Sequence, residues 1–239
     1  MRDTVKDRKQ ACYTALKEAV LTMQLRPGAD LDEAQLCDEH GLSRTPLRDL
    51  FQILAGEGYI DLRANRGARV ADLSYDTLRA FFLAAPMVYA AILRLAAVNR
   101  TQDQIAKLQK AQLRFTEALS GGDLAARSLT NNAFHEITGE MAHNVYLLPS
   151  FRRLLIDHAR IAMTFYQRAG GADADERQTA AQHHDAMINA IRDRNEEAAG
   201  ALAEAHWNLS RHQIERFVSP APLDIPLGQL HPILADGGA

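Results

Sequence analysis

Hydrophobic positions fall at three- and four-residue steps over most of the chain, with one short interruption near residue 60. Val5, Cys12, Leu16 and Val20 share one stripe and predict a helix from the N-terminus to about residue 25. Arg26-Pro27-Gly28 ends it. A second short helix opens at Leu31-Asp32-Glu33, with Asp30 or Asp32 as its cap, and Gly41 closes it near His40. Ser43 reads as the N-cap of a third helix, with Pro46 in the first turn, where a missing N–H is harmless. That helix puts Leu47, Leu50, Phe51 and Leu54 on one face and ends at Gly56 or Gly58. The period then shortens. Tyr59–Leu62 and Arg69–Ala71 read as two short strands, joined by a turn at Asn65-Arg66-Gly67.

After Asp72 the strand signal disappears. Ala, Leu and charged residues recur at helical periods up to Val218, with breaks near Asn99–Thr101, Gly121-Gly122, Asn144, Ala169–Gly171 and Arg194-Asn195. These predict helices over about 75–98, 102–119, 123–142, 146–168, 174–193 and 196–217. Short connections between consecutive helices make a bundle. Pro86 falls inside the first of them and predicts a kink. The expected organisation is a mostly α chain: a three-helix-plus-hairpin head over 1–73, an all-α six-helix bundle over 74–218, and a Pro-rich tail over 219–239.

Composition narrows the classes. Apolar residues make up 47% of 239, enough to bury a core, and the net charge of −3 excludes a polybasic coat. Cys12 and Cys37 lie far apart without CxxC spacing, which suggests neither a disulfide framework nor a zinc ribbon and fits a reducing cytoplasm. The N-terminus shows no apolar signal segment. Ala80–Ala97 comes nearest to a membrane span, but Arg94 interrupts it, so a buried helix is expected.

Three helices and a hairpin outline a winged helix-turn-helix. In such a motif the second helix of the pair enters the major groove, and its first residues reach base edges. Arg44 and Arg48, four apart, share the face opposite Leu47, Leu50, Phe51 and Leu54. A guanidinium grips guanine O6 and N7 with two bonds. Ser43, Thr45 and the helix N-terminus suit phosphate oxygens, and Arg66 and Gly67 at the wing tip can approach the minor groove or phosphates. The head is not basic overall: residues 1–75 hold 11 Lys/Arg against 12 Asp/Glu. The basic stripe is local, with five arginines against three acids between 44 and 69.

Leu25–Val70 resembles the head of the GntR family of regulators: a PG turn, an acidic-capped helix, Gly41-Leu42-Ser43-Arg44-Thr45-Pro46-Leu47-Arg48, a Gly58-Tyr59 step and an Asn65-Arg66-Gly67-Ala68 wing. The family often carries a further arginine in the second helix, where this chain has Ala34. The helical part is similar to the FCD effector domain of the FadR-like branch. That resemblance rests on Asn131-Asn132-Ala133-Phe134-His135, on His184-Asp185-Ala186-Met187-Ile188-Asn189-Ala190-Ile191, and on His206 in Ala205-His206-Trp207. It implies a polar cavity that often holds a divalent metal. His135, His184 and His206 would be the ligands, with Asn131, standing where the family has aspartate, as a weak fourth. Spacing agrees, because His184 shares a stripe with Met187, Ile188 and Ile191, and His206 one with Leu202 and Leu209. Imidazole nitrogens suit Zn or Ni, and the loss of a carboxylate disfavours Mg and Ca.

The first bundle helix often carries an arginine for an organic-acid effector. Here Phe81–Tyr89 has no charge, so either Arg127, Arg152, Arg153 or Arg160 would grip the acid, with Tyr89 also a candidate contact, or the effector is less acidic. The resulting expectation is a regulator, most simply a repressor and not an enzyme. Its partners would be double-stranded operator DNA, an organic- or sugar-acid effector and a second copy of itself in a homodimer, with no membrane. A metalloenzyme built on the three histidines lacks HExxH, GxSxG and a spaced general base. A non-sensing DNA-binding structural protein would have no use for so large a second domain.

Overall fold

A computed structural model of the protein describes residues 4–64, 67–168 and 174–218. The chain begins with α1 (Val5–Leu21), capped by Thr4, whose side chain and Asp7 close a capping box. A short strand β1 (Asp30–Leu31) precedes α2 (Glu33–His40), and α3 (Arg44–Glu57) follows. Asp32 caps α2 by accepting from the N–H groups of Ala34 and Gln35, and Gly41 ends it at φ 59°. Gly58 ends α3 at φ 89°, a left-handed conformation that favours glycine. The wing is β2 (Ile60–Arg63) paired antiparallel with β3 (Gly67–Val70), Arg63 opposite Gly67.

Sequence reading missed β1. Two residues are too few to show a period; they become a strand only because β3 offers a free edge, where Asp30 pairs with Arg69. Pairing with β2 extends β3 back to Gly67, two residues before the predicted start. Arg66, the break at 169–171 and the tail 219–239 lie outside the described residues.

The head core is Cys12, Leu16 and Val20 of α1 against Leu47, Leu50, Phe51 and Leu54 of α3, closed by Ile60 and Val70 of the wing. Ile156 and Ala159 complete it from the bundle. They sit on α7, so the head's apolar interior continues across the junction.

The bundle consists of α4 (Tyr75–Asn99), α5 (Gln102–Gly121), α6 (Leu124–Met141), α7 (Leu147–Arg168), α8 (Ala174–Arg192) and α9 (Glu196–Val218). All six match the predicted helices within two residues, because each boundary is marked in sequence. Thr101 and Gln104 form a capping box, Asp123 caps α6, and Gly122 ends α5 at φ 73°. α4 runs unbroken through Pro86. It is long and apolar enough to cross a membrane by length and composition alone. Part of its apolarity is used inside the bundle, where Ala85, Ile92, Ala96 and Ala97 are fully buried, while Leu83 and Met87 are exposed.

Candidate functional site

Two places gather polar groups that the sequence had singled out. The first is the start of α3. Ser43 has extended backbone at the N-cap, yet its side chain makes no capping hydrogen bond, which leaves the hydroxyl available beside the helix N-terminus. Arg44, Thr45 and Arg48 are exposed, while Leu47, Leu50, Phe51 and Leu54 are buried on the opposite face. Arg48 is not idle: its Nε donates to Oε2 of Glu33 at 3.1 Å. Glu33 opens α2 and also faces the wing, since a Cβ at Gly67 would lie 3.5 Å from its Oε1. One acid therefore links α2, α3 and the wing. Sequence reading saw Glu33 only as part of a helix start.

The second place is a buried cluster of histidines inside the bundle. His135 of α6, His184 of α8 and His206 of α9 are all buried, and one ring nitrogen of each lies within 4.8 Å of the others. Their ring centroids are separated by 5.1 Å (His135–His184), 5.3 Å (His135–His206) and 4.8 Å (His184–His206). His135 Nε2, His184 Nε2 and His206 Nδ1 are buried without a hydrogen-bond partner. An orphaned buried nitrogen is costly, and three in one place could share a ligand.

Neighbours fix these rings. His184 stacks on Phe134, centroids 3.8 Å apart and nearly parallel. Its Nδ1 is 3.0 Å from Oε1 of Gln112. The Gln112 amide nitrogen donates to the Ala181 carbonyl and to Asp185 Oδ1, both at 3.0 Å, so its oxygen is left to accept. The proton of His184 is thereby assigned to Nδ1 and the lone pair to Nε2, in the cavity. Burial drives every one of these imidazoles toward its neutral form, with the neighbouring histidines adding to the effect. His206 is lowered to about 3, and His135 and His184 fall well below the ordinary value. Neutral imidazole with a free lone pair is the metal-ligating form.

Asn131 is one helical turn before His135 on α6 and half-buried; Arg127, a turn earlier still, is buried. Tyr89 is buried, its OH 3.0 Å from His158 Nδ1, and its ring centroid lies 6.0 Å from that of His135. Arg160 is fully buried and donates to Asp157 Oδ1 (3.0 Å) and to the Ala71 carbonyl just past the wing (2.6 Å), a role in the head–bundle joint. Sequence reading passed over His158 and Gln112. Each had a signal: His158 continues the buried stripe Phe151–Leu155, and Gln112 interrupts the stripe Leu108–Phe115.

The comparisons agree with this layout. Residues 8–70 match the bacterial regulatory proteins of the gntR family, and residues 87–209 match the FCD domain. The chain belongs to the GntR family and carries an FCD domain. Named GntR relatives include the Nta operon transcriptional regulator of Aminobacter aminovorans, 25% identical over 86% of this chain and 93% of that one. The galactonate operon transcriptional repressor of Escherichia coli is 27% identical over 74% and 83%. Among solved structures, E. coli McbR/YncC superposes with a TM-score of 0.72 at 17% identity, covering 91% of this chain and 98% of that one. A GntR regulator from Rhodococcus sp. RHA1 gives 0.63 at 18% identity over 90% and 99%. These relatives are transcriptional regulators, not enzymes.

Proposed function

We propose that this GntR-family regulator reads operator DNA with the N-terminal end of α3 and senses a small organic or sugar acid in the histidine cavity. The observation that carries the DNA reading is the pair of exposed guanidiniums, Arg44 and Arg48, on the helix face opposite the head core. Ser43 and Thr45 would hold phosphates, and Gly67 with Arg66 would follow the backbone at the wing. Two copies, as a homodimer in the cytoplasm, would place two such helices on the half-sites of a pseudo-palindrome.

The donor set of the cavity fits a divalent transition metal such as Zn or Ni, held by His135, His184 and His206 with Asn131 nearby. When bound, such a metal offers open positions to a carboxylate or hydroxyl of the effector. Tyr89, whose ring lies beside that of His135, and the buried Arg127, two turns before His135 on α6, are the side chains suited to contact it, while Arg160 would act through the joint. Effector binding would then change operator affinity through the heads, and repression is the simplest sign.

The reading is tested by gel shift with DNA upstream of the protein's own gene. Arg44→Ala and Arg48→Ala should each weaken specific binding by about 1–3 kcal/mol if each makes a bidentate base contact. Unchanged binding in both variants defeats the assignment.

A further inference from the structure

α4 carries more apolar surface than the bundle takes up. No more than 39% of its most apolar stretch is buried, too little for a helix that serves the core alone. The remainder forms a continuous stripe. Ala80, Leu83, Met87, Ala91 and Val98 fall along one side of the helix, away from the buried Ala85, Tyr89, Ile92 and Ala96. Leu83 is 68% exposed and Met87 69%, on successive turns. Apolar side chains scattered singly over a surface are ordinary, but a contiguous stripe about five turns long marks a face that another surface covers.

The charges on this face indicate what covers it. Asp76 and Arg94 belong to the same helical series as the stripe, at steps of three and four residues: 76, 80, 83, 87, 91, 94 and 98. Both are exposed, and among the described residues neither has an ion-pair partner. Each lies nine positions from Ala85, about 13 Å along the axis. A second α4 laid antiparallel across Ala85 therefore brings Asp76 of each copy to Arg94 of the other. The same register sets Leu83 against Met87 and Arg79 against Ala91, so no like charges meet. A parallel arrangement would put aspartate on aspartate and arginine on arginine. Small side chains at Ala80, Ala84 and Ala91 allow the two helices a close approach. Gly200 of α9, where a Cβ would collide with the Arg94 side chain, leaves that arginine room at the rim of the face.

We propose that this face of α4 is the interface between two copies of the chain, packed antiparallel about a two-fold axis at Ala85, with Leu83 and Met87 at its centre and an Asp76–Arg94 ion pair at each end. A two-fold interface has to be complementary to itself. This stripe is apolar in the middle and opposite in charge at positions equidistant from it. The inference rests on the homodimer reading above and adds to it the surface and the register of the contact.

The test is sedimentation equilibrium of the full chain, with a cooperative thermal transition to confirm that each variant is folded. The wild type is expected to be a dimer at micromolar concentration. Met87→Glu sets two carboxylates close to the axis and should raise the dimer dissociation constant about a hundredfold or more. Leu113→Glu, at an exposed leucine of α5, should leave it unchanged. Asp76→Arg and Arg94→Asp each turn two ion pairs into two like-charge contacts and should each weaken the dimer about tenfold. The double variant Asp76→Arg/Arg94→Asp exchanges the charges and should return to within about threefold of the wild type. A wild-type dimer that Met87→Glu leaves intact overturns this interface while the homodimer stands. A double variant no tighter than the single ones overturns the antiparallel register. A monomeric wild type overturns interface and homodimer together, and if that monomer sediments with phosphatidylcholine vesicles while Met87→Glu does not, the stripe belongs to a bilayer.

Discussion

The start of α3 and the histidine cavity hold their polar groups under opposite conditions. Arg44 and Arg48 stand in water, and Glu33 meets Arg48 at the surface. The three histidines are sealed from solvent and driven to the neutral form. Exposed arginines keep their charge at little expense to folding and release their interaction energy only when a polyanion arrives. Buried imidazoles give up hydration in the fold itself, so their unpaired nitrogens are a standing cost until a ligand takes them. Substitutions at the surface cluster should therefore spare stability and change binding, whereas changes to buried groups should be felt in the fold.

The largest effect is expected at the joint between the two regions. Burial pushes the Asp157 carboxyl up and the Arg160 guanidinium down, each toward its neutral form, so the pair is a costly arrangement that holds only while both members remain. Arg160→Met takes away the buried one of the two cations on Asp157, leaving it Arg153, and leaves the Ala71 carbonyl without this donor. Chemical denaturation should show a loss of about 3 kcal/mol. A loss below 1 kcal/mol, the size typical of exposed pairs, would erase the contrast between buried and exposed charge.

Acid should act on the buried histidines. His206 is lowered to about 3 and His158 to about 4, both by burial. An unfolded histidine titrates near 6.5, so as pH falls below that value the unfolded chain binds protons that the folded cavity refuses. Metal-free protein should be fully stable above about pH 7 and lose about 2 kcal/mol per fully buried histidine by pH 5. Denaturation midpoints that stay level from pH 7 to 5 would mean that the cavity is hydrated. The smallest effect belongs to the exposed pair. Glu33→Gln, which breaks the ion pair to Arg48, should change stability by about 0.5 kcal/mol or less in the same assay.

The two regions were also unequally legible in sequence. Exposure, spacing and cap of the α3 site are local properties: Ser43, Arg44, Thr45 and Arg48 lie within six residues, and helical geometry places them. The bundle helices were legible for the same reason, since Thr101, Asp123 and Gly122 mark boundaries within one turn. Convergence of three helices is not local. His184 and His206 showed themselves by sitting on apolar stripes, but Gln112, which orients His184 from 72 positions away, is a contact between helices. The wing's third strand was hidden because Asp30 and Leu31 are made a strand by β3 and not by their own pattern.

The claim on which the cavity depends is that three orphaned ring nitrogens await a metal. Protein stripped with a chelator, reloaded with Zn or Ni and desalted should retain about one transition metal per chain by elemental analysis, and His184→Ala should retain far less. A wild-type protein that keeps no transition metal, as purified or after reloading, would contradict the account.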